Sequence, residues 1–197
     1  MDAKVLLRFG VLSPVAFWLT IFACGIFLPD YSHLTRMVSE LGEQGVLTQY
    51  YFTFGLVVVA LFSVPFIIAL QKECRARGLY MFPVLILWLF TLSILGAGIF
   101  PYPTYLHGLL GSPSLLLFLS PLLALVLWPH KKISGVRLLS GVALVLMLLG
   151  FTIFIPDILQ NLFGVKQRVF HLAWTVWFVS LWFMFRKSEA DRVLPPA

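Results

Sequence analysis

The sequence predicts an all-α polytopic membrane protein, a bundle of six transmembrane helices with a short interfacial helix in its first outer loop. Hydrophobic residues make up 60% of the 197 residues and charged residues only 11%, whereas soluble domains carry roughly 25% charged residues. The apolar residues fall into six runs, each long enough to cross a hydrocarbon core of about 30 Å as a helix. Lysine and arginine are frequent in every second connection and scarce in the others. These observations exclude a soluble domain.

The six runs have to be helices, because a backbone polar group in lipid must find its hydrogen-bond partner within its own segment. No polar stretch exceeds about 20 residues, so we expect one transmembrane domain over residues 1–197 and no separate soluble domain. The predicted spans cover about residues 11–28, 49–70, 80–100, 109–128, 138–156 and 169–185.

The first run follows two basic residues, Lys4 and Arg8, and so shares features with a signal peptide. Residues 21–24 faintly resemble a lipoprotein cleavage site, but Phe22 is bulky for that position and the apolar run continues beyond it. We therefore expect this segment to be the first transmembrane helix rather than a cleaved leader.

The distribution of basic residues sets the orientation. If the N-terminus is cytoplasmic, eleven of the fourteen lysines and arginines lie on that side, and only Arg36, Lys166 and Arg168 lie on the other. This predicts a multi-pass protein of the cell membrane with both termini in the cytoplasm. It also argues against a nucleic-acid partner despite the net charge of +6, because the basic residues lie where helix ends meet the membrane surface. Cys24 and Cys74 fall on opposite sides, so we expect no disulfide between them.

The first outer loop contains the polar segment PDYSHLTRMVSELGEQG, residues 29–45. Ser32 is a good helix N-cap and Gly42 a good helix stop. Apolar residues at positions 34, 37, 38 and 41 share one helical face. We expect a short helix in the membrane interface, with its apolar face toward lipid or the bundle and its polar face toward water or a cavity. The polar face carries His33, Arg36, Ser39, Glu40 and Glu43.

Three of the four histidines, His33, His107 and His171, lie in the outer loops or within about one turn of them. Three imidazoles can hold Zn²⁺ and leave a fourth position for a water whose pKa falls to about 7. One hypothesis is therefore a metal-dependent membrane-embedded hydrolase that acts on a lipid or lipid-linked substrate at the outer leaflet. Its catalytic residues would be Glu40 or Asp30 as the base, with Ser39 and Arg168 orienting the substrate. The alternative is that the histidines only form interfacial hydrogen bonds.

The segment before the sixth span places Gln167, Arg168 and His171 on one helical edge. Arg168 either extends to the lipid headgroups, or faces inward to pair with Glu40 or Asp157 or to bind an anionic group. The favoured hypothesis is a polar site at the extracytoplasmic face that binds a membrane lipid or a small amphiphile. The residues expected to bind it are Arg168, Gln167, Tyr31 and Arg36.

A third hypothesis is an accessory or structural subunit whose outer face docks a partner. Transport is less favoured, because the sequence shows no internal repeat and no charge at mid-membrane depth. The chain contains no GxSxG, HExxH, paired CxxC or phosphate-binding glycine loop. Zinc is the only cofactor that the histidines suggest, and a copurifying metal, lipid or partner would discriminate among the three hypotheses.

Four short motifs occur in order along the chain: SELG at residues 39–42, GIFP at 98–101, HG at 107–108 and QR at 167–168. In these motifs the chain resembles the prokaryotic six-transmembrane-helix family catalogued as domain of unknown function 998. The family pattern often has an acidic residue shortly after the Phe-Pro pair, whereas Tyr102, Pro103 and Thr104 follow here. If that acid carries chemistry, this protein either lacks it or supplies it from Asp30 or Asp157. The resemblance implies the six-helix fold and an important outer face, and it implies no reaction.

Overall fold

The computed structural model describes residues 3–186. They contain six helices that are long and apolar enough to cross a membrane, and no β-strand, which confirms the predicted fold class. Two basic residues predicted to be cytoplasmic, Lys187 and Arg192, lie outside the described residues. The helices are α1 (Ala3–Phe27), α2 (Gln49–Ala76), α3 (Phe82–Ile99), α4 (Tyr105–Leu127), α5 (Val136–Phe154) and α6 (Phe163–Phe185).

Three helices extend well beyond the apolar runs that predict them. Helix α1 begins at Ala3, ahead of the predicted start at residue 11. Helix α2 continues to Ala76, and Arg77 binds Glu73 one turn back, with 2.6 Å between Nη2 and Oε2. Helix α6 begins at Phe163, so the QR motif at residues 167–168 is helical. Hydropathy marks where the hydrocarbon ends, whereas a helix continues as long as its residues favour it and its end finds partners.

Helix α6 lies innermost in the bundle. In an apolar 18-residue stretch of α6, 56% of the residues are buried, whereas 22% are buried in the corresponding stretch of α4. The fully buried Trp174 and Phe178 contact aromatic rings on other helices. Phe90 of α3 lies 5.2 Å from Trp174 and Phe66 of α2 lies 5.3 Å from Phe178, measured between ring centroids. Aromatic burial on α6 therefore forms the centre of the core.

Hydrogen bonds between helices satisfy several of the buried polar groups of the core. The Trp177 indole N–H donates to Ser120 Oγ at 2.8 Å, and this hydroxyl donates to the Pro83 carbonyl at 2.6 Å, linking α6, α4 and α3. The hydroxyls of Ser13 and Ser63 lie 2.9 Å apart and link α1 to α2. Each of these bonds takes the place of the hydrogen bond to water that the polar group loses on burial.

The first loop departs from the predicted interfacial helix. It forms one turn after Ser32, whose Oγ accepts from backbone N–H groups as an N-cap does, and then a separate 3₁₀ helix, Val38–Gly42. In an α-helix the Val38 N–H would donate to the Leu34 carbonyl. Here that carbonyl accepts from Val165 N at 3.1 Å, and Val38 N donates to Gln167 Oε1 at 2.5 Å. Backbone hydrogen bonds to α6 thus replace those of a continuous helix.

The 3₁₀ helix is folded into the end of the bundle. Val38, Ser39, Leu41 and Gly42 are buried. Of the two orientations predicted for the polar face, toward water or toward a cavity, Ser39 therefore does not adopt the one toward water. We call the end of the bundle formed by residues 28–48, 100–104 and 155–162 the loop end. Its first two loops are joined by the Gln44 N–H, which donates to the Tyr102 carbonyl at 2.8 Å.

Candidate functional site

A cavity of about 300 Å³ lies in the half of the bundle nearest the loop end. A second chamber of about 150 Å³ shares five lining residues with it: Ser114, Leu115, Phe154, Gln167 and His171. Phe17, Phe52, Leu56 and Ile94 are among the apolar residues of the main chamber. Such a volume lies at the lower end of the range of small-molecule sites, which are mostly apolar with a few polar groups.

The polar residues that line the two chambers are serines, a glutamine and histidines. Within residues 3–186, no aspartate, glutamate, lysine or arginine lines either chamber. Hydroxyl, amide and imidazole groups are therefore the polar groups available to an occupant. These residues are Ser39, Ser93, His107, Ser112, Ser114, Gln167 and His171.

The mouth of the cavity lies where α4 begins and α5 ends, next to the loop end. Among the lining residues, Gly108, Ser112 and Phe154 are exposed. The neighbouring Leu109 and Leu116 are 49% and 43% exposed, so the surface around the mouth is apolar. Both helices are 3₁₀ in this region, over Ser112–Phe118 and Phe151–Phe154. The cavity therefore opens sideways onto a surface that suits lipid.

His171, in the third turn of α6, contributes a buried polar atom without a partner. Its Nδ1 lies 3.2 Å from the Trp174 indole nitrogen, which can only donate. Nδ1 is therefore unprotonated and the proton lies on Nε2, an assignment that follows from the partners. Nε2 is buried and makes no hydrogen bond. A buried donor left unpaired costs about 1–3 kcal/mol.

His107, in the first turn of α4, has the opposite tautomer. Its Nδ1 lies 3.1 Å from the Ala97 carbonyl and 2.9 Å from the Phe100 carbonyl, and both oxygens can only accept. Nδ1 therefore carries the proton, and Nε2 of the neutral ring is an acceptor. Thr104 caps α4 by accepting from the His107 backbone N–H at 3.3 Å, which fixes the position of this turn. The cavity thus has one imidazole donor and one imidazole acceptor.

Gln167 and Ser39 add further hydrogen-bonding capacity to the cavity. Gln167 Oε1 accepts from the Val38 N–H, and its NH₂ group has no acceptor among residues 3–186. Ser39 is 8% exposed and its hydroxyl has no partner in the same part of the chain. Both residues come from motifs noted in the sequence, SELG and QR, and the structure brings them to one place.

Arg168 lies beside the cavity and holds the first loop to α6. Its Nη1 donates to the carbonyls of Arg36 at 3.1 Å and Gly164 at 3.0 Å. Its Nη2 donates to the Tyr31 hydroxyl at 2.7 Å and to His33 Nδ1 at 2.8 Å. These contacts use all four terminal N–H bonds of the guanidinium. We call these five residues the Arg168 cluster.

The predicted pairing of Arg168 with Glu40 or Asp157 is not formed. No carboxylate of residues 3–186 lies within ion-pair distance of the guanidinium. Glu40 instead accepts from Arg36 Nε at 2.6 Å and from the Met37 backbone N–H at 2.7 Å, which holds the start of the 3₁₀ helix. Asp157 is exposed in the loop before α6.

The charge of Arg168 affects its neighbours in the loop. Burial, reinforced by Arg168, lowers the pKa of His33 below its ordinary value of 6.5. Burial raises the pKa of Tyr31, although the hydrogen bond from Arg168 acts in the opposite direction. The hydrogen bond to Glu40 raises the pKa of Arg36. His33 is thus kept neutral, which leaves its Nδ1 able to accept from Arg168.

The predicted zinc ligands do not come together. Within residues 3–186, no group of three or more histidine, cysteine, aspartate or glutamate side chains could hold a metal ion. His107 and His171 line the cavity, whereas His33 lies over Gly25 in the Arg168 cluster. The predicted three-histidine zinc centre is therefore not formed, because the hydrogen bond from Arg168 holds the His33 ring in the loop.

The predicted catalytic residues are likewise placed apart. Ser39 lines the cavity, Glu40 is engaged in the loop, and Asp30 is exposed with a positive φ of 56°. Both cysteines, Cys24 and Cys74, are buried and free, as expected.

The sequence did not predict that Lys166 and Ser93 donate hydrogen bonds to backbone carbonyls of other segments. Lys166 is 1% exposed, and its Nζ donates to the Ile155 carbonyl at 2.9 Å and lies 4.9 Å from the Phe163 ring centroid. Nothing in the sequence distinguishes it from a lysine at the membrane surface. Ser93 donates to the Leu110 carbonyl at 2.7 Å. Its only signal was a hydroxyl within an apolar run.

Comparison with known proteins identifies a family and nothing more specific. The family model described as "Protein of unknown function (DUF998)" matches residues 11–184. The chain belongs to this family, which confirms the resemblance seen in the four motifs. No curated protein and no solved structure matches the chain significantly.

Proposed function

We propose that this member of the DUF998 family binds a lipid or a small amphiphile in the cavity at the loop end. One observation carries the proposal: an apolar-walled cavity within the bundle contains hydrogen-bonding groups without protein partners and opens onto an apolar surface. An apolar chain suits such walls, and a polar head suits the unpaired groups. The metal-dependent hydrolase and the accessory subunit have no comparable observation in their favour.

The proposed location is the extracytoplasmic side of the cell membrane, with both termini in the cytoplasm. The excess of lysine and arginine at the opposite end supports this orientation. Three basic residues lie in or next to the loop end, Arg36 in the first loop and Lys166 and Arg168 in the first turns of α6, and all three are engaged in the contacts described above. They therefore add little to the basic surface that would favour a cytoplasmic location.

The proposal is tested by identifying lipids that copurify with the untagged protein in mild detergent, using mass spectrometry. Gly111 lines the cavity, and a leucine there fills part of it. Gly141 lies in a helix where an added Cβ meets nothing within 4 Å, so Gly141→Leu is the matched control. We expect Gly111→Leu to lose a bound amphiphile that wild type and Gly141→Leu retain. Equal retention by Gly111→Leu would contradict the proposal.

The same preparations test the hydrolase hypothesis. Elemental analysis of wild type and His171→Ala measures any bound metal directly. Near-stoichiometric zinc in wild type that is lost in the variant would favour the metal-dependent enzyme over simple binding. Amphiphile binding as proposed here requires no metal at His171.

A further inference from the structure

We infer that the head of the bound amphiphile is uncharged and bears a hydroxyl group, which lies between His171 and His107. The inference rests on the proposed function, because it describes the occupant of the same cavity. It follows from three properties of the site: the absence of charge in its lining, the polarity of its unpaired hydrogen-bonding atoms, and the position of its mouth.

The first argument concerns charge. No charged side chain of residues 3–186 lines either chamber. The cation nearest in sequence to His171, Arg168, uses all four terminal N–H bonds within its cluster. Lys166 is turned to the Ile155 carbonyl. The Arg168 Nε is buried and has no partner, but Arg168 lines neither chamber. A phosphate or carboxylate in the cavity would therefore be removed from water with no cation in the lining to pair with, which is strongly unfavourable.

The second argument concerns donors and acceptors. His171 Nε2 is a donor without a partner, and His107 Nε2 is an acceptor. The free NH₂ of Gln167 adds a donor, and the free hydroxyl of Ser39 can act in either sense. An ester or ketone oxygen can accept from His171 but gives nothing to His107. A hydroxyl both accepts and donates, so it can satisfy both rings.

The third argument concerns access. The mouth lies between the outer ends of α4 and α5, next to the exposed Leu109 and Leu116. A ligand that enters there comes from the bilayer rather than from water. Together these properties indicate a neutral hydroxylated lipid, the chemical class of a diacylglycerol or a long-chain alcohol.

The test uses three probes with identical short acyl chains and different heads. Dioctanoylglycerol has the free hydroxyl, its O-methyl ether lacks the donor, and dioctanoylphosphatidate is charged. Binding is measured by native mass spectrometry of the full chain in phosphatidylcholine nanodiscs. We expect dioctanoylglycerol to bind at least about tenfold more tightly than either other probe. Equal or tighter binding of the phosphatidate at this cavity would overturn the inference.

Asparagine substitutions test the two imidazoles. Asparagine places its amide near the position of Nδ1 and removes Nε2, so His171→Asn and His107→Asn keep a polar group toward the present protein partners. We expect each to weaken dioctanoylglycerol binding about tenfold and to reduce the preference over the methyl ether. His130→Asn is the control, because His130 is exposed at the opposite end. Unchanged selectivity in both cavity variants would overturn the assigned hydrogen bonds.

The Gly111→Leu variant separates failure of this inference from failure of the proposed function. If Gly111→Leu abolishes phosphatidate binding as strongly as dioctanoylglycerol binding, and the two bind equally to wild type, the cavity holds an amphiphile but the head is not restricted as inferred. If Gly111→Leu alters the binding of no probe and of no copurified lipid, both the inference and the proposed function are overturned.

Discussion

Two arginines at opposite ends of the bundle attach a helix to a neighbouring segment, and they do so with different partners. Arg77 lies just beyond α2, where its Nη2 binds Glu73 Oε2 at 2.6 Å and the Phe185 carbonyl at 3.2 Å. Arg168 lies near the start of α6 and has only neutral partners: a hydroxyl, an imidazole and two carbonyls. Charge is compensated locally at one end and not at the other.

The surroundings of the two arginines differ in the same way. At the Arg77 end most other described basic residues are exposed, as they are on a surface facing lipid headgroups. At the loop end the basic side chains fix the positions of loops and helix ends. The Arg168 cluster orders the loop whose Ser39 lines the cavity. The comparison indicates that Arg168 stabilises the architecture of the site.

The largest effect that we expect is on Arg168→Met. The substitution removes four charge-assisted hydrogen bonds, three of them between the loop and α6. We expect a loss of about 4 kcal/mol in the free energy of unfolding, since such bonds contribute about 1.5–3 kcal/mol each and are not additive. Thermal unfolding followed by tryptophan fluorescence in detergent measures it. Arg168→Lys retains the charge but loses the fork of donors, so it should also be strongly destabilised.

The double variants sharpen the comparison. Arg77→Met leaves Glu73 without its partner, so adding Glu73→Gln should recover part of the lost stability. Adding Glu40→Gln to Arg168→Met should recover nothing, because Glu40 is not bound to Arg168. Recovery in that variant would show that Arg168 has an acidic counterpart and would remove the distinction between the two ends.

An intermediate effect is expected for Gly164→Ala. A Cβ at this position would lie 2.5 Å from the carbonyl oxygens of His33 and Arg36, and backbone atoms cannot move aside without moving the loop. We expect a loss of about 2 kcal/mol, in the range of overpacked sites. Gly141→Ala is the control and should be neutral or slightly stabilising, because it meets nothing and alanine favours the helix. Equal stability of the two variants would mean that the loop is not held closely against α6.

The smallest effect is expected from pH and concerns His33. Because its pKa in the folded protein is lowered, mainly by burial, the unfolded chain binds more protons just below pH 6.5. The stabilisation is therefore complete above pH 6.5 and is lost as the pH falls through the lowered pKa. The difference in thermal stability between pH 8 and pH 5 should be smaller in His33→Gln than in wild type. An identical difference in both proteins would show that the lowered pKa of His33 does not contribute to the pH dependence of stability.

The fold and part of the site were predictable from the sequence because they depend on local properties. Six apolar runs and the alternation of basic residues indicate six helices without any knowledge of their packing. Ser32 accepts from backbone N–H groups as predicted, but it caps a single turn, and the 3₁₀ helix that ends at Gly42 begins only at Val38. Gln167 and His171 were placed on one helical edge by their spacing, and both line the cavity.

The membrane-type helical bundle and the polar character of one end follow from the amino-acid sequence alone, because composition and periodicity are summed over many residues. The tertiary structure decided which polar groups meet. In the packed structure His33 accepts a hydrogen bond from Arg168 and takes part in no metal centre. Leu34 and Val38 have hydrogen-bond partners on α6, which interrupts the expected loop helix. His171 Nε2 has no partner. Each outcome depends on hydrogen bonds between residues distant in the chain, and these are selected only once the helices have packed.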